Sequence, residues 1–231
     1  MEKYVKIIEN AIGEIPVNQL IIASELYRKL SLEITEQSFY KTMERFSKSG
    51  KLVHLTKSVY YRPKKTRFGI VPISEKEIAN HYLKNHQGVL VGYRLYNQKG
   101  ITTQIGKKVE ILSTILPEKQ KNICNVSVRR ITVPLNEKTI PVIETMEILQ
   151  AYKGIEDINT KVLAAYMTHF VQMYSESAME VVLENRKYKK STIAFMAAFL
   201  NYHHIKHSLS KYLSPLSDYK IPNVEELYEP A

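Results

Sequence analysis

The stretch from Thr35 to Arg67 constrains the fold more than any other part of the chain. It begins with an amphipathic run, "TEQSFYKTMERFSKSG", whose apolar residues Phe39, Met43 and Phe46 fall within about 40° of one direction at 100° per residue. Thr35 is placed to cap the start of this helix, and Gly50 sits just past its end, where a left-handed residue is favoured. Two β-prone runs follow, "LVHL" and "VYYRP", separated by Thr56, Lys57 and Ser58, which is the spacing of a short hairpin. A basic segment with Lys64, Lys65 and Arg67 comes next. Between Glu36 and Arg67 there are nine Lys/Arg against two Glu, so this segment holds most of the chain's net charge of +10.

Two further helices are expected upstream. Tyr4, Ile7, Ile8 and Ala11 recur at helical spacing until Gly13 and Pro16 stop the run. "NQLIIASELYRKL" reads as a second helix, with Ser24 as its N-cap and Leu26, Tyr27 and Leu30 as its buried stripe. Helix, helix, helix, hairpin is the order of a winged helix-turn-helix, a fold that sets its second motif helix in the DNA major groove. If Phe39, Met43 and Phe46 face the core, the opposite face carries Gln37, Lys41, Glu44, Arg45 and Lys48, with Ser38 beside it and Thr42 on the same helix. Gln37 and Ser38, near the helix start, are the candidates for base edges. Lys41, Arg45 and Lys48 suit guanine or phosphate, and Thr42 completes the helix's candidate set. Lys57 would sit at the wing tip. Arg62, Lys64, Lys65 and Arg67 would meet backbone or minor groove where the chain leaves the hairpin. The competing reading is a solvated basic face.

A chain of 231 residues has room for two cores. The expected class is α+β: a winged helix-turn-helix over residues 1–69, a larger mixed domain over 70–214 with a small sheet and a helical C-terminal half, and a mobile or docking tail over 215–231. Within the second domain, Ser74, Glu75 and Glu77 announce a helix ending before Gly88. "VLVGYRLY", "KVEILS" and "NVSVRRITV" read as strands, with 117–122 as a polar connection. Helices are expected from Pro141 to Gly154, in "INTKVLAAYMTHFVQMYSES", around 178–185, and in "STIAFMAAFLNYHHIKHSL" with Ser191 as cap. Arg129 and Arg130 must point to opposite faces of their strand. For them and for Arg186, Lys187, Lys189 and Lys190, a solvated surface is weighed against a second nucleic-acid or partner-facing patch.

The segment "SGKLVHLTKSVYYRPKKTRFG" resembles the helix end, wing and exit strand of AbiEi-type antitoxin N-terminal domains and of related plasmid and phage-defence proteins. "GYRLYNQKGITTQIGKKVEILS", with Gly100, Thr103 and Gln104, resembles the Asn-x-x-Gly-Leu-x-Thr-Gln segment that opens the second domain of that family. The resemblance covers about the first half of the chain. It implies a transcriptional repressor that is the antitoxin of a type IV toxin–antitoxin pair, binds its own promoter through the winged helix, and counters a nucleotidyltransferase-like toxin without a stable complex. Many relatives carry Gly in the wing turn where this chain has Ser58.

Signals for other classes are weak. His203 and His207 are four apart, which two metal ligands on a helix would use, but no HExxH glutamate lies between them. The chain has no GxxxxGK[ST] and no GxGxxG. Its single cysteine, Cys124, cannot form an internal disulfide and reads as a small buried thiol. Glu144 with Glu147, and Glu225 with Glu226, lack a partner motif for acid–base work. Neither enzyme activity, a metal nor a cofactor is expected. No apolar run reaches the roughly 20 residues of a membrane span, and "MEKYVKIIEN" lacks a signal-peptide block, so the expected location is the cytoplasm. The expected partner is operator DNA in duplex form. The alternative, supported by sixteen tyrosines, is a winged-helix adaptor that binds protein rather than specific DNA.

Overall fold

A computed structural model describes residues 2–228. The chain is of mixed α+β composition and divides into two compact units, the first comprising 1–82 with 122–126 and the second 83–121 with 127–231. The first unit thus continues past residue 69, and the second includes the segment expected to be a tail.

The first unit begins with α1 (Glu2–Gly13), followed by a short strand β1 (Leu20–Ile22) and α2 (Ala23–Leu30). Among the described side chains of α1, Ile8 and Ile12 are buried and Tyr4 is exposed. The expected helix over "NQLIIASELYRKL" is shorter than its apolar pattern suggests. Leu20, Ile21 and Ile22 are taken by strand pairing, so Ile22 precedes the helix and Ser24 lies inside it, not at its cap. A tertiary pairing partner outcompetes local helical spacing here, which is the usual fate of short β-branched runs.

Next comes α3 (Glu36–Lys48), with Thr35 as its cap: the Thr35 Oγ1 accepts from the Ser38 amide at 3.4 Å. Phe39, Met43 and Phe46 are fully or almost fully buried with Ile8, Ile21 and Leu52. Just past the helix end, Gly50 with a φ of +70° lets the chain turn so that the amides of Lys51 and Leu52 both donate to the Phe46 carbonyl. That turn feeds β2 (Val53–Thr56) and β3 (Val59–Tyr61), which form an antiparallel hairpin. β1 adds to the other side of β3, giving the order β1-β3-β2 with Leu20 opposite Tyr61 and Ile22 opposite Val59. The Ala23 amide donates to the Ser58 carbonyl at 2.8 Å, so the hairpin turn is tied to the start of α2.

A second, smaller hairpin of β4 (Lys64–Thr66) and β5 (Gly69–Val71) follows, and then α4 (Glu75–Leu83). Ser74 and Glu77 form a reciprocal cap on α4, each side chain accepting the other's backbone amide.

β6 (Gly88–Val91) pairs antiparallel with β7 (Val109–Ser113), and β8 (Gln120–Ile123) and β9 (Val126–Arg130) complete a sheet in the order β6-β7-β9-β8, of which Asn122, Ile123 and Val126 are counted with the first unit and the rest with the second. Two strand expectations are corrected. "VLVGYRLY" is a strand only to Val91, because Gly92 takes φ +71° and the chain becomes the helix α5 (Tyr93–Gln98). A Cβ at Gly92 would also lie 2.5 Å from the Glu110 carboxylate oxygen, a flexible side-chain end that can move aside, so it is the left-handed φ that favours glycine here. The expected polar connection over 117–122 contains most of β8, an edge strand with the sequence "QKNI" and only Ile123 buried, which no hydrophobic pattern could reveal.

The helical half consists of α6 (Thr139–Ala151), α7 (Thr160–Gln172), α8 (Glu176–Asn185), α9 (Lys190–Tyr202) and α10 (Val224–Tyr228). Asn159 and Ser175 cap α7 and α8, while Lys189 rather than Ser191 occupies the cap position of α9. Met146, Met167, Met179, Phe195 and Phe199 lie in one continuous core. Of the segment expected to be mobile, 215–231, the stretch 224–228 is anchored in that core, and residues 229–231 lie outside the described residues. Val224 and Leu227 are buried, and the Tyr228 ring stacks on Tyr202 at 4.7 Å. Apolar residues spaced three apart on so short a helix are too few to announce themselves among prolines and acids.

Candidate nucleic-acid interface

The exposed side of α3 is set by its buried side. With Phe39, Met43 and Phe46 held in the core, Gln37, Lys41, Glu44, Arg45 and Lys48 are exposed, as the helical spacing requires. Lys48 reaches back to Glu44 at 2.7 Å, and this bond together with the lysine charge holds the Glu44 carboxyl below the usual carboxylate range. Both side chains are exposed, so the pair orders the surface and contributes little stability. Ser38 is half-buried and engaged with Thr35, whose hydroxyl donates to its Oγ at 3.0 Å. Thr42 does not belong to the exposed face. It is buried, and its hydroxyl donates to the Ser38 carbonyl at 2.8 Å, one turn back within the helix.

The β2–β3 hairpin is fixed to the edge of this helix face. Burial, with Tyr40 and Glu44 nearby, raises the Tyr60 hydroxyl above its ordinary pKa. Opposite it in register, the exposed His54 ring lies 4.8 Å from Tyr60. Lys57 is exposed at the hairpin tip, beside Ser58, whose φ is +61°. The turn therefore adopts the left-handed conformation that glycine takes without strain, although a serine occupies it.

The basic exit segment separates into two kinds of residue. Arg62 is half-buried and donates from Nη1 to the Gly13 carbonyl at 3.0 Å, at the C-terminus of α1. Its Nε is buried with no hydrogen-bond partner among the described residues. Arg62 is thus a clamp between α1 and the exit strand, not a free contact, and a cationic group is well placed at the negative end of a helix. Beside it is a cleft of about 360 Å³ lined in part by Ile12, Phe46, Lys51 and Lys65. By contrast, Lys64, Lys65 and Arg67 are all exposed on the small hairpin β4–β5. That hairpin has strands of three residues each and was not visible as β-structure in the sequence. Its tip carries Phe68, which is 86% exposed.

The second unit's cationic residues behave differently. Arg186 donates from Nε and Nη2 to one Glu147 oxygen at 3.0 and 2.7 Å, and Nε also lies 3.0 Å from the Tyr188 hydroxyl. Burial lowers the guanidinium pKa, but the Glu147 charge and the hydrogen bonds that Arg186 donates to Glu147 and Tyr188 outweigh it, and the net shift is upward. Arg186 is therefore not part of a solvated loop, whereas Lys187, Lys189 and Lys190 are exposed. Arg130 is exposed and donates to the Pro117 carbonyl at 3.2 Å, and Arg129 lies 3.8 Å from Glu110. A cleft of about 590 Å³ is lined by Lys119, Arg130, Thr132, Asn185, Arg186 and Lys187.

The family-like segment around Gly100 is built into this unit as a clasp. Asn97 donates to the Thr102 carbonyl at 3.2 Å, the Thr102 hydroxyl to the Glu156 carbonyl at 2.6 Å, and the Gln104 amide group to the Asp157 carboxylate. Tyr93 joins the same loop, donating to the Gly154 carbonyl at 2.9 Å and accepting the Glu156 amide at 3.2 Å. These residues hold the 154–159 loop against α5, and Thr103 alone of the motif's polar set is exposed.

The histidines do not share a helix face. α9 stops at Tyr202, His204 takes φ +56°, His203 Nε2 lies 2.8 Å from the Tyr228 hydroxyl, and His207 Nε2 lies 3.0 Å from Asn201 Oδ1. Among the described residues, no group of three or more His, Cys, Asp or Glu is placed to hold a metal ion. Cys124 is exposed, not buried, in a turn where its φ is +50°. No helix of the described residues is long and apolar enough to cross a membrane.

Among known proteins, no family model matches the chain and no curated protein is similar to it in sequence. The crystal structure of the RV2827C protein from Mycobacterium tuberculosis aligns over 86% of this chain and 76% of its own, with 13% identity and a TM-score of 0.45, a likeness too loose to transfer a fold or a role.

Proposed function

We propose that the first unit is a winged helix-turn-helix, with α3 as its recognition helix and β2–β3 as its wing, and that the protein binds operator DNA as a transcriptional repressor. The observation that carries this reading is the exposed polar face of α3, with Lys41, Arg45 and Lys48 beside a hairpin whose tip is Lys57. A rigid helix buried on one side and cationic on the other is what major-groove docking requires. In this reading Gln37 and Arg45 meet base edges, Lys41, Lys48 and Lys57 meet phosphates, and Lys64, Lys65 and Arg67 extend the contact. Thr42 and Arg62 drop out of the binding set.

The more particular role, antitoxin of a type IV pair that represses its own promoter, is supported by the resemblance of 49–69 and of the Gly100 segment to AbiEi-type proteins. Mobility shift with the DNA upstream of the protein's own reading frame tests the first part. Retardation that weakens with salt, with a slope of about 0.9 per phosphate contact, is expected. No retardation at low salt, with tight capture of a protein partner by the same unit, would establish the adaptor instead. Co-expression with a neighbouring nucleotidyltransferase-like gene tests the second part: rescue of growth is expected, and unrelieved toxicity ends the antitoxin role while leaving DNA binding intact.

A further inference from the structure

The exposed hairpin β4–β5 lends three cations to the proposed contact, but its aromatic tip has no part in anything described so far. Its eight residues, "KKTRFGIV", contain three cations and no acid. Lys64 pairs with Val71, Lys65 with Ile70 and Thr66 with Gly69, which leaves Arg67 and Phe68 as the turn. The turn is pinned from within. The Thr66 hydroxyl donates to the Gly69 carbonyl at 3.1 Å and accepts the Phe68 amide at 3.2 Å, and Gly69 at φ +112° completes the reversal. At the base, the Lys64 amide donates to the Asn18 side chain at 3.2 Å. Phe68 is thus presented on a braced tip, 86% exposed, with the Arg67 guanidinium 4.6 Å from its ring centroid, and Ile70 of β5 is 49% exposed.

A lone exposed apolar side chain needs no explanation. An aromatic ring at the apex of a fixed, purely cationic prong does, because the charges select a polyanion and the ring requires a surface to enter. Proteins that kink duplexes from the minor groove combine these two elements, an apolar wedge between base pairs and cations on the flanking phosphates. We propose that β4–β5 is a second DNA-binding prong that enters the minor groove and inserts Phe68 at a flexible pyrimidine–purine step, so that the bound duplex is kinked. The proposal rests on the duplex-binding reading above. Arg67 and Lys65 neutralise the phosphates on either side.

The test uses the full chain and a 30-bp duplex with one central TA step, labelled at its ends for energy transfer and carrying 2-aminopurine at that step. Wild type is expected to shorten the end-to-end distance, by a bend in the range of about 20–90°, and to raise the 2-aminopurine signal by unstacking. Phe68→Ala should abolish both changes and weaken binding about tenfold or more, with the salt slope unchanged. Phe68→Leu should retain part of the bend. Arg67→Ala should lower the salt slope by about 0.9. Because Phe68 is exposed, both Phe68 variants should keep the wild-type thermal midpoint, which confirms that they fold. If wild type binds this duplex without bending it, or Phe68→Ala bends it as wild type does, the wedge is wrong and the recognition-helix reading survives. Loss of flotation with anionic vesicles by Phe68→Ala, with bending intact, would assign the tip to a lipid surface instead. If wild type retards no duplex at low salt, both readings fall together.

Discussion

Two cationic runs, one from Lys41 to Arg67 and one from Arg186 to Lys190, look alike in sequence and differ in the fold. In the first, a buried apolar stripe turns Lys41, Arg45 and Lys48 outward, while Arg62 clamps the end of α1 and Lys51 pairs with Glu9 at 2.6 Å on an exposed surface. In the second, the run's arginine is turned inward onto Glu147, 39 positions away in sequence, and only its lysines remain at the surface. Charge density along a chain therefore says where cations are, and not which of them are available. Availability depends on whether a carboxylate from elsewhere draws the cation inward, as Glu147 does with Arg186, rather than pairing with it at the surface, as Glu9 does with Lys51.

The sharpest way to break this contrast is to compare losses of stability with losses of binding. Glu147→Ala leaves Arg186 without its counter-charge in a largely buried position and should cost about 3–5 kcal/mol, read by urea denaturation. Arg45→Ala, in contrast, should cost less stability than Glu147→Ala and, if Arg45 reads a base, weaken operator binding by about 1–3 kcal/mol. Should Glu147→Ala prove neutral while Arg45→Ala unfolds the protein, the assignment of the two runs is reversed.

Within the first run, Arg62→Ala should behave like the second. Loss of its charged bond to the end of α1 is expected to cost roughly 1.5–3 kcal/mol of stability with no change in the salt slope of DNA binding. Thr35→Ala removes the cap of α3 and should cost about 1 kcal/mol. Ser58→Gly should act in the opposite direction. Relief of about 1–2 kcal/mol of left-handed strain exceeds the roughly 0.5–1 kcal/mol that glycine loses in chain entropy, so a small stabilisation is expected by thermal denaturation.

The smallest expected effect concerns acid pH. Burial pushes the Glu176 carboxyl up, but bonds from Ser208 and Tyr174 outweigh it, and the group titrates below the ordinary glutamate value. Its folded-state pKa is depressed, so its contribution is present above the unfolded glutamate pKa and is lost as pH falls through the folded value. A stability-versus-pH profile should therefore flatten on its acid side in Glu176→Gln.

Much of the first unit was legible because its signals are local. Thr35 and Gly50 bound α3, Phe39, Met43 and Phe46 set its face, and the alternation after Gly50 gave the hairpin. The failures have a common cause. β1 formed where a helical pattern ran on, β8 formed from polar residues, and β4–β5 formed from lysines, in each case because a partner strand supplied the backbone hydrogen bonds. Ser24 and Ser191 were reasonable caps displaced when their helices began elsewhere. Thr42 and Arg62 carried the right chemistry for DNA, but one faces the helix interior and the other a neighbouring helix end.

By itself, the order of residues determined the cationic helix with its hairpin, the α+β class and the lack of any long apolar span, since these depend on spacing and composition within a few turns of chain. Only tertiary structure decided which cations remain exposed, that the C-terminal Val224 and Leu227 belong to a core, and that Phe68 stands on a braced tip. Those outcomes depend on groups brought together from distant positions, and a hydrogen bond or a buried surface exists only once both partners are in place.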